Sequence, residues 1–558
     1  METRRLILLS VFFFSVFMLW QNWIAYSQPE KPVAEVASSA VPAPTQTVTP
    51  VPAGKVVVPD GAAVEGKTTE QGETLELTTD LFKATFSGHG GDLVRLELLK
   101  HREKGDKSKN LVLFDAKHHY FAQTGLIGDG LPNHRSLFKI SGPTTMAEGV
   151  DEVKVRLSAA GEGAVKAAKV YTFKRGSYLI DVRWEIENGG QKEIMPHAYF
   201  QLQRDAEDPE RSSGWASSFM GVSAFTGPAV YTDTEKYQKV DFADILGDKA
   251  KFVRKADNGW LAMVQHYFVS AWVPKAPQLR ENYVRRVDGP GKNLFQAGLI
   301  VPLATVAPGG KIDYSVPLYA GPQEEAVLKQ VAPGLELVVD YGWFTVLAAP
   351  LFWALQWFYK LVGNWGWAIV LLTICIKMIF YPLSAASYKS MAKMKKLMPQ
   401  MTAMKERWGS DRQRLNQEMM NLYKTEKVNP LGGCLPIMVQ IPVFIALYRV
   451  LMGVVEMRDA PWILWITDLS SADPYYVLPI IMIASMLIQA KLNPTPPDPV
   501  QAKVMQLMPF VFGFMFLFFP AGLVLYWVVN NLLSIVQQWQ ITRMIEGGSK
   551  KAANDAKA

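Results

Sequence analysis

The run Trp365–Leu383, WGWAIVLLTICIKMIFYPL, is uncharged except for one lysine, Lys377. A stretch of this length and composition crosses a bilayer. A charge well inside such a span is costly and faces a water-filled cavity or a partner, so Lys377 is a functional-site residue by default. A chain built around this run folds in a membrane.

At 558 residues the chain is too long for one ordinary domain. Hydrophobic residues make up 49% of it and are unevenly spread. Residues 55–330 read as a soluble protein and 335–545 as a membrane protein. The only two cysteines, Cys375 and Cys434, lie in apolar segments, so no disulfide framework holds the polar part together.

Residues 1–27 open METRR and then run apolar from Leu6 to Trp20. Trp20, Trp23 and Tyr26 suit an interfacial aromatic belt, and an uncleaved signal-anchor span is expected. A cleaved signal peptide, with Ala25-Tyr26-Ser27 at the site, is the alternative. Residues 28–63 are rich in Pro, Ala and Val without periodicity and read as a linker. From 64 to 330 the pattern alternates between polar and apolar, punctuated by Gly and Asn-Gly turns, as in KVYTFKRGSYLIDVRWEIENGG. An antiparallel β-sandwich domain follows from that pattern.

Residues 335–363 carry Trp343, Leu347, Leu351, Leu355 and Phe358 at helical spacing. This reads as an amphipathic helix lying in the membrane interface, with a further span as the alternative. The second span is placed at 364–383 and four more at 431–455, 475–491, 504–519 and 522–539, within 431–545. Between them, 384–430 reads as a helical hairpin, with Gly409 as the break and Ser410 or Asp411 as the cap of its second helix. A basic tail, 546–558, ends the chain. Ten Lys and Arg residues fall in 384–430, and more lie in the 491–503 loop and the tail, whereas Glu456–Pro474 has one Arg and three Asp. Six spans with both termini in the cytoplasm put every basic loop on one side and the β-domain on the other, outside the inner membrane of a bacterium with a periplasm.

Met391, Met394, Met398 and Met401 share one face of the first hairpin helix. The expected role is the seam between the two hairpin helices; an adaptable surface for varied nascent segments is the alternative. The basic face of the hairpin reads as a solvated helix face or as contact with anionic membrane lipids, with a ribosome or RNA contact as a weaker reading. Gln440 lies in the third span, and Asn530, Asn531 and Gln537 in or near the last. Such residues glue helices together or line a wet cavity. Thr373 sits one turn from Lys377 and faces the same way.

All seven histidines lie between His89 and His266, in the β-domain. The spans contain no HExxH and no acidic pair, and the chain has neither G-x-S-x-G nor a P-loop. No enzyme, no cofactor and no metal site is expected. A secondary transporter or channel coupled through Lys377 is the rival class, but it calls for a paired acidic residue near the midplane and for repeated halves.

The segments GNWGWAIVLLTICIKMIFYPLSAASYKSMAKMKKLMPQM, EKVNPLGGCLPIMVQIPVFIALYRVL, LWITDLSSADPYYVLPI and FPAGLVLYWVVNNLLSIVQQ closely resemble the YidC membrane-protein insertases of Gram-negative bacteria, within the YidC/Oxa/Alb family. The resemblance implies a periplasmic β-supersandwich, similar to sugar-mutarotase folds, and a five-helix insertase core with a hydrophilic groove. It implies an insertase and chaperone acting on nascent membrane proteins, alone or beside the SecYEG translocon and its accessory Sec proteins, with the ribosome and the signal recognition particle pathway as further partners and no nucleic acid required. The groove charge of the family, an Arg, falls on Lys377, and its groove threonine on Thr373. Substrate contacts fall on Ile441 and Phe444. A tyrosine pair of the last span is Tyr526-Trp527 here, so the second position loses its hydroxyl.

Overall fold

The computed structural model describes residues 73–555 except 105, 161–164, 208–224, 290–292, 410, 427, 429–434 and 494–498. The expected anchor (1–27), the linker (28–63) and Cys434 lie outside the described residues.

Strands occupy the chain from Thr74 to Pro322, where polar and apolar residues alternate. They form two nine-stranded antiparallel sheets. The first is ordered β1 (Thr74–Thr78), β2 (Phe82–Ser87), β3 (Asp92–Glu103), β5 (Phe121–Ile127), β10 (His197–Asp205), β17 (Asn293–Pro302), β16 (Arg280–Asp288) and β13 (Lys255–Ala256), with β4 (Asp106–Phe114) also on β3. The second is ordered β12 (Lys236–Lys239), β11 (Gly227–Thr232), β14 (Trp260–Val264), β15 (Phe268–Trp272), β18 (Lys311–Pro322), β9 (Leu179–Asn188), β8 (Val165–Lys174), β7 (Glu152–Ala160) and β6 (Lys139–Ser141). Phe82, Phe86 and Leu96 from the first sheet and Val155, Tyr171 and Trp184 from the second share one core, so the sheets form a sandwich. A short helix, α1 (Phe242–Leu246), lies beyond β12.

After α2 (Glu325–Val331) the chain turns helical. Two 3-10 turns lead into α3 (Thr345–Val362), so the first ten residues of the expected interfacial segment are not part of its helix. Gly342–Val362 is the only described helical stretch that is by itself long and apolar enough to cross a membrane. Its face is split: Trp343 is 78% exposed, Val346 83% and Trp353 68%, while Ala348, Phe352 and Leu355 are buried.

The second span differs from its expected bounds. Helix α4 (Trp365–Ile379) stops before Phe380, and α5 (Tyr381–Trp408) leaves at a bend of 65°. Pro382 sits in the first turn of α5, where its missing N–H is harmless; inside a continuous helix it would clash with the carbonyl four residues back. Residues 381–383 therefore begin α5, with Phe380 at the bend. Asp411 caps α6 (Arg412–Thr425) by accepting from the Arg414 amide at 3.1 Å. Beyond come α7 (Leu435–Gly453), α8 (Val477–Leu492), α9 (Pro499–Phe516) and α10 (Ala521–Asp555). Helix α10 runs on through most of what the sequence reading took as a tail. At 15 residues α4 is about 22 Å long, short of the roughly 30 Å of hydrocarbon in an ordinary bilayer.

The chain forms two compact units, Val57–Pro494 with Met508–Ala558, and Met1–Val56 with Thr495–Leu507. Within the first, the outer face of the second sheet continues into the helical core: Trp260, Val269 and Tyr319 cluster with Phe352, Ile369 and Tyr448. The loop after α7 is tied to the sandwich. Arg458 donates to the Arg102 carbonyl at 2.7 Å and lies over the rings of Tyr267 and Phe268, and His266 Nε2 meets the Met452 carbonyl at 2.8 Å.

Candidate functional site

Helix α4 is anchored at its start by the Asn364 side chain, which accepts from the Trp367 amide at 3.1 Å. From there its buried stripe runs Ile369, Leu372, Thr373, Ile376, Lys377. The stripe faces α10, whose own polar residues repeat every fourth position: Tyr526, Asn530, Ser534, Gln538. All four are buried. Four-residue spacing aligns them on one face.

Lys377 is 7% exposed, and its Nζ donates to Ser534 Oγ at 2.7 Å. Ser534 in turn donates to the Asn530 carbonyl at 2.8 Å. The Asn530 side-chain oxygen accepts from Gln440 Nε2, which also reaches Tyr526 Oη at 3.4 Å. A polar chain thus crosses three helices, from Lys377 on α4 through Ser534 and Asn530 on α10 to Gln440 on α7. Among the described residues no carboxylate pairs with Lys377, and Ser534 is its one hydrogen-bond partner. Thr373 faces the same way, but its hydroxyl is spent on the Ile369 carbonyl at 2.7 Å, a local back-bond within the helix.

Ile441, Phe444 and Trp527 make an apolar flank beside this chain. The Phe444 and Trp527 rings meet edge to face at 5.0 Å, and Phe516 packs on the same indole at 5.6 Å. Ile441, on the same helix as Phe444, is 49% exposed. Among the described residues the buried Trp527 indole N–H has no hydrogen-bond partner.

Ser534 was not singled out in the sequence reading. A serine is small and common, and only the four-residue repeat with Tyr526, Asn530 and Gln538 marks it.

Three of the four hairpin methionines sit in the seam. Met394, Met398 and Met401 pack with Leu397, Met419, Leu422, Tyr423 and Val428, between α5 and α6. Met391 does not; it faces a cavity between α5, α8 and α10.

In the sandwich, His118, Asp205 and Glu207 bring possible ligand atoms within 4.8 Å of one another. His118 Nδ1 already meets Asp205 Oδ2 at 3.3 Å, and the Arg204 guanidinium lies 4.0 Å from the other Asp205 oxygen.

Two family models divide the chain. The one described as YidC periplasmic domain matches residues 74–354, and the one described as 60Kd inner membrane protein matches 357–550. The membrane protein insertase YidC of Dechloromonas aromatica is 64% identical over the whole of both chains. The chain belongs to the YidC family of membrane protein insertases. The YidC of Aromatoleum aromaticum is 55% identical over 99% of this chain and all of that one, and that of Cupriavidus necator is 50% identical over the whole of both. A solved active YidC insertase, with its first transmembrane domain resolved, aligns at 20% identity and a TM-score of 0.41, over 84% of this chain and 92% of that one. The boundary between the two matches, at 354–357, falls within helix α3.

Proposed function

We propose that this protein inserts and chaperones inner-membrane proteins, alone or beside the Sec translocon, by lending a buried positive charge to the polar end of a substrate. The observation that carries the reading is the Lys377 ammonium, held inside a bundle by one serine hydroxyl with no carboxylate among the described residues to neutralise it. A buried cation so placed has unspent attraction for an anion, and the low dielectric around it strengthens that attraction. An acidic substrate tail entering from the basic side is drawn to Lys377, and its apolar helix moves past Ile441, Phe444 and Trp527 into lipid. Partition of that helix, with the membrane potential acting on the negative tail, drives the step. No bond is made or broken, so no catalytic residue is required.

The topology we assign is multi-pass in the inner membrane: six spans, five of them forming the insertase core, both termini cytoplasmic and the β-sandwich periplasmic. Helix α3 lies in the outer interface; its exposed tryptophans opposite a buried stripe support that place over a seventh span. The hairpin collects nascent chains, ribosomes and targeting partners at the cytoplasmic mouth.

The test is depletion of the protein in cells with Lys377 variants supplied in trans, following small membrane proteins with acidic tails by protease protection. Insertion that stays normal on depletion would overturn the reading.

A further inference from the structure

Helix α10 carries a second pattern that insertion does not use. Leu532, Val536 and Trp539 follow one another at helical spacing and are 46%, 57% and 56% exposed. Arg543 continues this stripe one turn further. An exposed apolar stripe capped by a cation has the polarity profile of a lipid: tail, then anionic head.

At the level of the cap a cavity of about 180 Å³ opens between α5, α8 and α10. Lys395 and Arg543 line it, and no carboxylate does. Among the described residues neither cation makes an ion pair, and the Arg543 guanidinium lies 5.3 Å from the Trp539 ring centre. Gln538 also lines it. Its Nε2 donates to Asn493 Oδ1 at 3.1 Å, while its buried Oε1 has no donor among the described residues. The site thus offers two cations to an anion and one buried acceptor to a hydroxyl. Gln538 lies one turn beyond Ser534, the Lys377 partner, on the same buried face, but the two cations do not share that face: Arg543 is nine residues further along α10, about 13 Å away, and Lys395 is on α5.

We propose that this cavity binds the headgroup of an anionic phospholipid bearing a glycerol headgroup. The phosphodiester sits between Lys395 and Arg543, a headgroup hydroxyl donates to Gln538 Oε1, and one acyl chain lies along Leu532, Val536 and Trp539. Basic pockets between membrane helices hold such headgroups by the same means. A free phosphate would satisfy the two cations but leave the stripe unused. The proposal stands apart from the role given to Lys377 and is tested without any insertion assay.

The full chain, purified in mild detergent, is titrated with phosphatidylglycerol, phosphatidic acid or phosphatidylcholine, and retained lipids are counted by native mass spectrometry. Phosphatidylglycerol should be retained about tenfold better than phosphatidylcholine, and the double variant Lys395→Gln, Arg543→Gln should lose about that factor. Gln538→Leu should keep anionic lipid but erase the preference for phosphatidylglycerol over phosphatidic acid, which has no headgroup hydroxyl. Equal retention of phosphatidylglycerol and phosphatidylcholine by the unmodified protein would overturn the proposal, as would a folded double variant that holds phosphatidylglycerol unchanged. Displacement of the lipid by inorganic phosphate at equal concentration would reduce the site to an anion site and overturn it as well.

Discussion

The β-sandwich and the helical core each bury a lysine, and they treat the charge in opposite ways. In the sandwich, Lys169 is fully buried on β8 and donates to the carbonyls of Gly90 and Gly91 at 2.6 and 3.2 Å and to Asp92 at 3.2 Å. The rings of Phe138 and Trp184 lie 4.8 and 5.3 Å from its Nζ. Every proton has an acceptor and the charge has a counter-charge. In the core, Lys377 is nearly as deep and meets one hydroxyl. A buried charge in a structural role is paired, because leaving it alone costs several kcal/mol. A buried charge left without a counter-charge is held for something that arrives. The two lysines should therefore separate stability from function when they are changed.

The largest effect falls on Lys377. Lys377→Glu should abolish insertion of substrates with acidic tails while the protein still accumulates in the membrane, and Lys377→Arg should support growth of a depletion strain as the unmodified protein does. Full complementation by the Glu variant would end the electrostatic reading.

Lys169→Met should do the reverse. It strands the Asp92 carboxylate in a dry site and should destabilise the sandwich by about 3–5 kcal/mol, visible as proteolysis of the periplasmic part at lower temperature. Insertion should persist. A variant that lost insertion while its sandwich stayed protease-resistant would erase the contrast between the two lysines.

His101, on β3 beneath Arg458, sharpens the same contrast through pH. Burial, and secondarily the Arg458 guanidinium, push its imidazole down to about 4. The folded protein keeps it neutral where the unfolded chain takes up a proton, so its contribution is intact above the ordinary histidine range and is lost as pH falls from about 6.5 towards 4. From pH 7 to pH 5 the unmodified sandwich should lose stability relative to His101→Asn, by at most about 1.4 kcal/mol per pH unit. Parallel thermal unfolding curves for the two proteins across that range would show that His101 titrates normally.

Smaller still is the effect expected in the hairpin. Met398→Leu should change stability by less than about 1.5 kcal/mol, since the seam keeps its volume. Crosslinks from Met394 and Met398 should stay within the hairpin rather than reach a stalled nascent chain.

The smallest change is expected from the largest alteration. Deleting most of residues 60–310 should leave insertion largely intact, provided the residues from Pro322 onward remain. The deletion takes Trp260 and Val269 from the helical cluster, and Leu328, Leu335 and Val338 must stay to keep the rest of it covered. Normal membrane levels with failed insertion, assayed by protease protection of small substrates, would give the sandwich a role in insertion itself.

Much of this architecture was legible in the order of residues. Alternation from Thr74 to Pro322 is a local property, and the strands follow it because side chains in a strand point alternately to two faces. Lys377 stood out because a charge in an apolar run needs no neighbours to be conspicuous. The hairpin break at Gly409 and the Asp411 cap were local too. The end of α4 was misjudged because apolar content continues through Leu383, whereas Pro382 decides the backbone. Thr373 stands out by its face and by the resemblance, and neither shows that its hydroxyl closes onto its own helix.

What residue order determined, then, is which faces are apolar, where a charge is stranded among them, and where helices begin and bend. Those follow from composition and period within a few turns. Only the tertiary structure decided which faces meet: that Lys377 finds Ser534, 157 positions away, that Gln440 and Asn530 close one polar chain, and that Met391 leaves the seam its three neighbours share. Helical spacing aligns residues on one helix; the partner across the gap is chosen by packing of all the others, and no local pattern encodes it.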